Sequence, residues 1–158
     1  TGPEMVLLVK KICEIIESGA DFDTVVSKAE LYSNHTHIVF ALSSFNNLVK
    51  NGRMSKIVGF VANKLGFWGI GIGSKQGTIE IKQKIRGSKK ALDAIIDDMK
   101  ERGYNCGKVV ISHCRNAEFA ESVKSAIQSV WDKAEVKIVH ARGLCSYYAE
   151  KGGLIIGF

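Results

Sequence analysis

The sequence predicts an α/β domain: a mixed β-sheet of about five to six strands with helices packed on it. Three observations lead there. From residue 35 onward, β-branched and aromatic runs alternate with stretches of helical periodicity. Two strand-like runs within 67–86 are joined by only a short turn, so they read as a hairpin and make the sheet mixed. Apolar residues, 46% of the chain, are spread along its whole length with a single proline, which argues for one folded domain and against disorder.

Two helices lead. Residues 4–18 (EMVLLVKKICEIIES) carry apolar residues at positions 5, 7, 8, 9, 12, 15 and 16, which is helix spacing, with Gly19 placed as a cap. Residues 21–33 form a second short helix with Asp21 or Asp23 at its N-terminus. HIVFALSS (37–44) then reads as a buried strand. Ser43 or Ser44 caps a short helix, FNNLVK, which Gly52 stops. Ser55 caps the next helix, KIVGFVANKL, which Gly66 stops.

FWGIGIGSKQGTIEIKQKIRG (67–87) reads as a strand, a turn around Lys75-Gln76-Gly77, and a second strand in which Ile79, Ile81 and Ile85 alternate with charged or amide neighbours. Ser88 caps an amphipathic helix with Leu92, Ile95, Ile96 and Met99 on one face. KVVISHC is a buried strand, and NAEFAESVKSAIQSVW is a helix capped by Asn116. EVKIVHA and the closing GLIIGF are the last two strands. The expected organisation is a single domain over 1–158, with leading helices in 1–34 and the α/β core in 35–158. No internal repeat, linker or low-complexity segment interrupts it.

A chain of 158 residues can bury roughly 70% of its unfolded surface, enough for a core without staples. The net charge of +6 brings nucleic acid, anionic membrane or an acidic protein into consideration as partners. The basic residues are scattered, however, and the one local cluster (Lys82, Lys84, Arg86, Lys89, Lys90) reads as a solvated face. Nucleic-acid binding needs aromatics interleaved with the basic residues, whereas Phe40, Phe45, Phe60 and Trp131 fall on apolar faces, so no nucleic-acid partner is expected. No apolar run approaches the ~18–20 residues that span a bilayer, so no integral membrane association is expected. The four cysteines lack C-x-x-C spacing and read as free thiols of a cytoplasmic protein.

Motifs for chemistry are sparse. GIGSKQG (71–77) matches neither phosphate-loop pattern, and no helix follows it. It reads better as a glycine-rich strand and turn. The missing side chains at Gly69, Gly71 and Gly73 leave one sheet face bare for another segment or a flat apolar ligand, with Trp68, Ile70 and Ile72 on the other face. His35-x-His37 and His113-Cys114 resemble metal pairs but find no third ligand at motif spacing, so no metal is expected. No catalytic residue is assigned, and Asp97-Asp98 lies mid-helix, where it reads as solvated. Arg86, where a strand hands over to a helix, can sit beside free first-turn N–H groups that hold an anion; a capped helix with exposed lysines fits equally well. KNGRMSK (50–56) places Arg53 between Lys50 and Lys56 in a turn between apolar helices. It is either a solvated turn or a docking point for something anionic.

The order of several elements resembles the C-terminal part of the DegV family of bacterial fatty-acid-binding proteins. The elements are LVKNGRMSK (48–56), the KIVGFVANKLG helix, the strand pair ending KIRGSKKAL, VVISHC followed by NAEFAESVK, and GGLIIGF. The resemblance covers almost the whole chain. It implies a DegV-like C-terminal lobe whose N-terminal lobe is absent, a long-chain fatty acid as ligand, no other cofactor, and an acyl (fatty-acid) kinase as partner. It implies a lipid carrier rather than an enzyme. Ile57, Val58, Val61, Leu65, Trp68 and Ile70 are then candidates for the acyl slot, and Tyr148 stands about where the family commonly has a histidine near the carboxylate. Arg53, Lys56 and Arg86 become candidates for docking the kinase or steering an acyl phosphate, a role suited to guanidinium forks. Apolar walls alone can hold a long tail, at roughly 0.8 kcal/mol per buried methylene. The fragment is expected to expose an apolar face where the other lobe sits, and to dimerise through it in the absence of that lobe. The alternative from another class is a phosphometabolite-handling enzyme domain related to dihydroxyacetone kinase, which needs a phosphate loop or metal carboxylates.

Overall fold

The computed structural model describes residues 2–54, 66–74 and 78–158. The expected KIVGFVANKL helix, with Ser55, Lys56, Ile57, Val58, Val61 and Leu65, and the turn at 75–77 lie outside the described residues. In chain order the elements are α1 (Pro3–Glu17), α2 (Phe22–Asn34), β1 (Ile38–Leu42), α3 (Asn46–Lys50), β2 (Phe67–Gly73), β3 (Ile79–Arg86), α4 (Ser88–Glu101), β4 (Lys108–His113), α5 (Ala117–Val130), β5 (Glu135–His140), α6 (Gly143–Ala149) and β6 (Leu154–Gly157). The strands form one sheet in the order β3-β2-β1-β6-β4-β5. Among the described residues only the β4–β5 pairing is parallel and the other four are antiparallel, so the sheet is mixed as expected.

Alternation along each strand divides the side chains between two faces. One face is sealed. Val39 and Ala41 of β1, Ile70 of β2, Val109 and Ile111 of β4, and Leu154 and Ile156 of β6 pack with Ala94, Ile95 and Met99 of α4 and Phe119, Val123 and Ile127 of α5. The α4 face is the one its periodicity implied. The Tyr104 phenol donates to the carbonyl of Gly107, and burial pushes its pKa up to about 12.

The opposite face is shared. α1 lies over β4 and β6, where Pro3 and Glu4 come so close to Gly157 that a Cβ there would meet the Glu4 nitrogen at 2.6 Å. Lys108 at the start of β4 pairs with Glu14 of α1. Beyond α1 the face carries Phe40 and Leu42, packed with Phe45, Leu48 and Ala149.

Several local expectations change in the structure. β1 starts at Ile38, so His35 and His37 do not share a strand face. His35 ends α2 with Nδ1 on the carbonyl of Leu31, and the His37 ring packs 5.7 Å from Phe158. Asp21 does cap α2, accepting from the Thr24 N–H at 2.9 Å. Ser88 is the first residue of α4 rather than its cap, and Asn116 precedes α5 without a side-chain capping bond. Asp98 is buried rather than solvated, 2.8 Å from the Arg102 guanidinium and 3.3 Å from the Lys82 ammonium. A bulge in the β2–β3 pairing lets Ile70 face Gln83 and Gly71 face Ile81, with Lys82 as the extra residue. Ile85 therefore packs with the sealed core, and Ile81 with the Phe40 cluster. The simple alternation of Ile81 and Ile85 onto one face is broken by that one inserted residue.

Helix α6 was not anticipated from the sequence. It is bound to α3 by Glu150, just beyond its end. One carboxylate oxygen of Glu150 accepts from the Asn47 N–H at 2.8 Å, and the other from the Ser44 hydroxyl at 2.6 Å. A residue remote in sequence thus satisfies the first turn of α3, the role expected of Ser43 or Ser44. The Asn47 side chain donates to the Tyr147 carbonyl and the Asn51 side chain to the Tyr147 hydroxyl, both at 2.8 Å. Glu150 holds this position with a φ of 52°.

Two mutational outcomes follow from this packing. Glu150→Ala loses both carboxylate bonds and is destabilised by about 1–2 kcal/mol in urea unfolding. Glu150→Gly loses the same bonds but relaxes the left-handed backbone, so it is destabilised less than Glu150→Ala. A Cβ at Gly71 would lie 2.3 Å from the Glu80 carbonyl oxygen and 2.4 Å from Phe40 Cζ, whereas one at Gly73 meets only Ile38 Cγ2 at 3.1 Å. Gly71→Ala is therefore expected to cost about 2–3 kcal/mol and Gly73→Ala less than about 1 kcal/mol in the same measurement.

Candidate ligand-binding face

The glycines of β2 explain the approach of α3 to the sheet. A Cβ at Gly69 would sit 2.2 Å from Phe45 Cζ, so the ring can lie flat against the strand only because no side chain is there. Phe40 takes the same place over Gly71. The bare face foreseen from the sequence is thus partly filled by the chain's own aromatic rings. Leu48, fully buried, continues the packing along α3.

Around this buried centre lies a half-buried apolar rim: Met54, Ile81, Cys114, Tyr148 and Ile155. Ile81 reaches it through the β3 bulge, Ile155 by alternation in β6, and Tyr148 from α6. The two tyrosines of α6 diverge, with rings 5.3 Å apart at 74°. Tyr148 joins the apolar rim, while the Tyr147 hydroxyl is engaged by Asn51. The rim is apolar surface with one phenol, a combination that can accept a hydrocarbon and offer a single hydrogen bond to a polar end.

Trp68 and Ile70, expected beside the acyl slot, lie on the other side of the sheet. The Trp68 ring packs 4.8 Å from Phe119 of α5, and Ile70 is 1% exposed within the sealed core. The reason is alternation itself: the bare face belongs to Gly69 and Gly71, so their neighbours must point away. Tyr148 and the pair Trp68–Ile70 are therefore not brought together.

The stretch KNGR has a definite geometry. Asn51 ends α3, Gly52 follows with a φ of 65°, and two return bonds close the helix: Gly52 N–H to the Val49 carbonyl at 3.1 Å and Arg53 N–H to the Leu48 carbonyl at 2.8 Å. This is a Schellman stop, and it requires the left-handed residue that glycine supplies without strain. It places Arg53 in the open, one turn beyond buried Leu48. Arg86 is also exposed, at the end of β3 opposite Phe67. Among the described residues neither guanidinium has an ion-pair partner. The Gly87 N–H just before α4 is taken by the Gly66 carbonyl at 2.9 Å.

Sequence reasoning missed Glu150, and also His140 and Lys151, which with His113 and Arg115 line an open cleft at the carboxyl ends of β4 and β5. The signal for Glu150 in the sequence was weak: a lone carboxylate just before Lys151-Gly152-Gly153, where a turn is expected. Among the described residues, no group of three or more His, Cys, Asp or Glu side chains is placed to hold a metal. The described cysteines are all free, and no described helix is long and apolar enough to cross a membrane.

The family model described as "Uncharacterised protein, DegV family" matches residues 2–158. A DegV domain-containing protein of Streptococcus pyogenes serotype M1 is 41% identical over 157 residues, covering 99% of this chain and 56% of the relative. The Streptococcus pneumoniae Fatty Acid Kinase (Fak) B3 protein, solved loaded with linoleic acid, superposes with a TM-score of 0.95 at 38% identity, over 99% of this chain and 56% of that one. A DegV family protein of Eubacterium eligens loaded with heptadecanoic acid superposes at 0.96 with 36% identity, over 99% and 57%. The chain thus spans little more than half the length of the relatives it matches. With the match running from its second residue to its last, this chain belongs to the DegV family.

Proposed function

We propose that this chain is the C-terminal lobe of a fatty-acid carrier, a single domain that holds part of an acyl tail and leaves the chemistry to a separate kinase. The observation that supports it most is the likeness over 99% of the chain to two proteins solved with fatty acids, at 38% and 36% identity. The half-buried apolar rim around Tyr148 gives the reading a physical place. A hydrocarbon laid on that rim is held by the hydrophobic effect, while the phenol donates to the carboxylate. Ile57, Val58, Val61 and Leu65 belong to the proposed slot by sequence. Trp68 serves it from behind, by packing on Phe119 of α5, and Ile70 by filling the sealed core.

The name of the pneumococcal neighbour couples a fatty acid to a kinase. On this reading Arg53 and Arg86, and by sequence Lys56, serve that kinase or the acyl phosphate it makes; the exposed guanidinium groups of Arg53 and Arg86 lack an ion-pair partner among the described residues and are ready for a carboxylate or phosphate. The lobe contributes binding and presentation, not catalysis, in a cytoplasmic setting that its free cysteines suit. The leading helices offer a second apolar surface: Phe22 is 79% exposed and Leu31 62%. Residues of this kind suit the other lobe of the carrier, or a second copy in its absence.

Native mass spectrometry of the purified chain, followed by organic extraction, tests the reading. A stoichiometric fatty acid is the expected result. A nucleotide in place of the fatty acid, or no fatty acid on either this chain or the same chain joined to the remainder of the carrier, overturns it. Tyr148→Phe is expected to weaken linoleic acid binding by about threefold to tenfold, the worth of one hydrogen bond, while leaving linoleate methyl ester binding nearly unchanged. Equal losses for acid and ester would remove Tyr148 from the head-group role.

A further inference from the structure

A second concavity lies at the carboxyl ends of the parallel pair β4 and β5. It is an open cleft of about 590 Å³ lined by His113, Arg115, His140, Ser146, Tyr147 and Lys151, among others. His113 ends β4 and pairs in register with His140, which ends β5. Their rings are 4.6 Å apart. The crevice beyond the carboxyl ends of parallel strands is where open α/β sheets most often take ligands.

The lining is basic and lacks a counter-charge. Arg115, Lys151 and two imidazoles surround the cleft, and no carboxylate lines it. Arg115 and Lys151 have no ion-pair partner among the described residues. His113 is 3% exposed, and its Nδ1 accepts from the Asn116 N–H at 3.1 Å. The proton of the neutral ring is therefore on Nε2, available as a donor. Burial, and then the neighbouring His140, hold the His113 pKa below the ordinary histidine value. The first turn of α5 follows directly, with no side-chain cap on its N–H groups.

The backbone adds an independent observation. Among the described residues, the only non-glycine residues with positive φ are Arg115 and Glu150, both at 52°. Arg115 lines this cleft, and Glu150 precedes Lys151, which also lines it. Left-handed non-glycine residues carry strain of about 1 kcal/mol or more, and such strain gathers at binding sites.

We propose that this cleft is a binding site for a phosphate-bearing anion, held by Arg115, Lys151, His140 and the Nε2–H of His113. A phosphoryl group offers several strong acceptors and up to two negative charges, which match donors converging from three loops better than a single carboxylate does. The site backs onto the apolar rim, since Cys114 borders both, but its chemistry is different and it does not depend on acyl binding. Tyr147 lines the cleft and is bonded to Asn51, so the anion would lie beside the turn that carries Arg53.

The test is a titration of the purified chain with sodium phosphate at constant ionic strength, following the ring C–H resonances of His113 and His140. A saturable shift of both, with the His113 titration midpoint raised in phosphate, is expected, because a bound anion favours the imidazolium. Arg115→Asn, which tolerates the left-handed backbone, and the exposed Lys151→Ala are each expected to weaken phosphate binding by about tenfold or more. Repeating the titration with adenosine diphosphate separates the sources: tighter binding than phosphate assigns a nucleotide, and equal binding assigns a free phosphate group. No saturable shift, the same shift with chloride alone, or unchanged affinity in both variants overturns the proposal.

Discussion

Two phenyl rings laid against a strand without side chains set the geometry of the Tyr148 side of this sheet. Phe45 lies over Gly69 and Phe40 over Gly71, each closer than any Cβ would permit. The contact brings α3 down to backbone distance from β2. Once Phe45 is seated, Leu48 is buried one turn later, and the Schellman stop follows from that register. The position of Arg53 in the open is thus a consequence of packing some residues earlier. The cationic stretch KNGR has a structural answer first: Gly52 ends α3, and Arg53 is what the ending displays.

A second constraint runs between sequence-distant elements. The Glu150 carboxylate serves the start of α3 and the Ser44 hydroxyl at once, and the Asn47 and Asn51 amides return to Tyr147. Hydrogen bonds to an ionised acceptor are stronger than neutral ones, and these are sheltered at their inner end by Leu48 and Ala149. The result is a fixed relation between α6, which carries both tyrosines, and the turn that carries Arg53. The strained backbone at Glu150 is held by these bonds rather than by its own preference.

Much of the architecture was legible in the sequence because the signals were local. Helical periodicity gave α4 its buried face, and β-branched runs gave β1, β4 and β5. The glycine alternation in β2 showed a bare face. What was not legible depends on contacts between distant residues. The bulge at Lys82 divides Ile81 from Ile85, and no periodicity rule reveals an inserted residue whose cause lies in the neighbouring strand. Asp98 looked solvated beside Asp97, yet Lys82 and Arg102 converge on it from β3 and its own helix. α6 was hidden because GLCSYYA is too short for periodicity to speak, and its end is fixed by partners on α3. The basic cleft was invisible for the same reason: His113, Arg115, His140 and Lys151 meet only once β4 and β5 lie parallel.

The two faces of the sheet have unequal burdens, and this bears on which residues the fold can spare. The α4–α5 face holds the larger apolar cluster, with Ile95, Met99, Ile111, Val123 and Ile127 all at 0% exposure. Its packing does not call on the rim around Tyr148. An apolar rim left half-exposed costs the chain solubility, but it takes little from a fold whose main core lies behind the sheet. The half-exposed rim and the stabilising core are therefore separable across one layer of strands. Substitutions at Met54, Ile81, Tyr148 or Ile155 can alter what the rim accepts while β1 and β6 remain anchored through Val39, Ala41, Leu154 and Ile156 on the other side. Gly69 and Gly71 are the exception. They belong to both systems, because they admit the rings that form the floor beneath the apolar rim and lie in the strand that the core holds. That dual role is why the glycine strip, rather than any one apolar residue of the rim, is the feature least able to change.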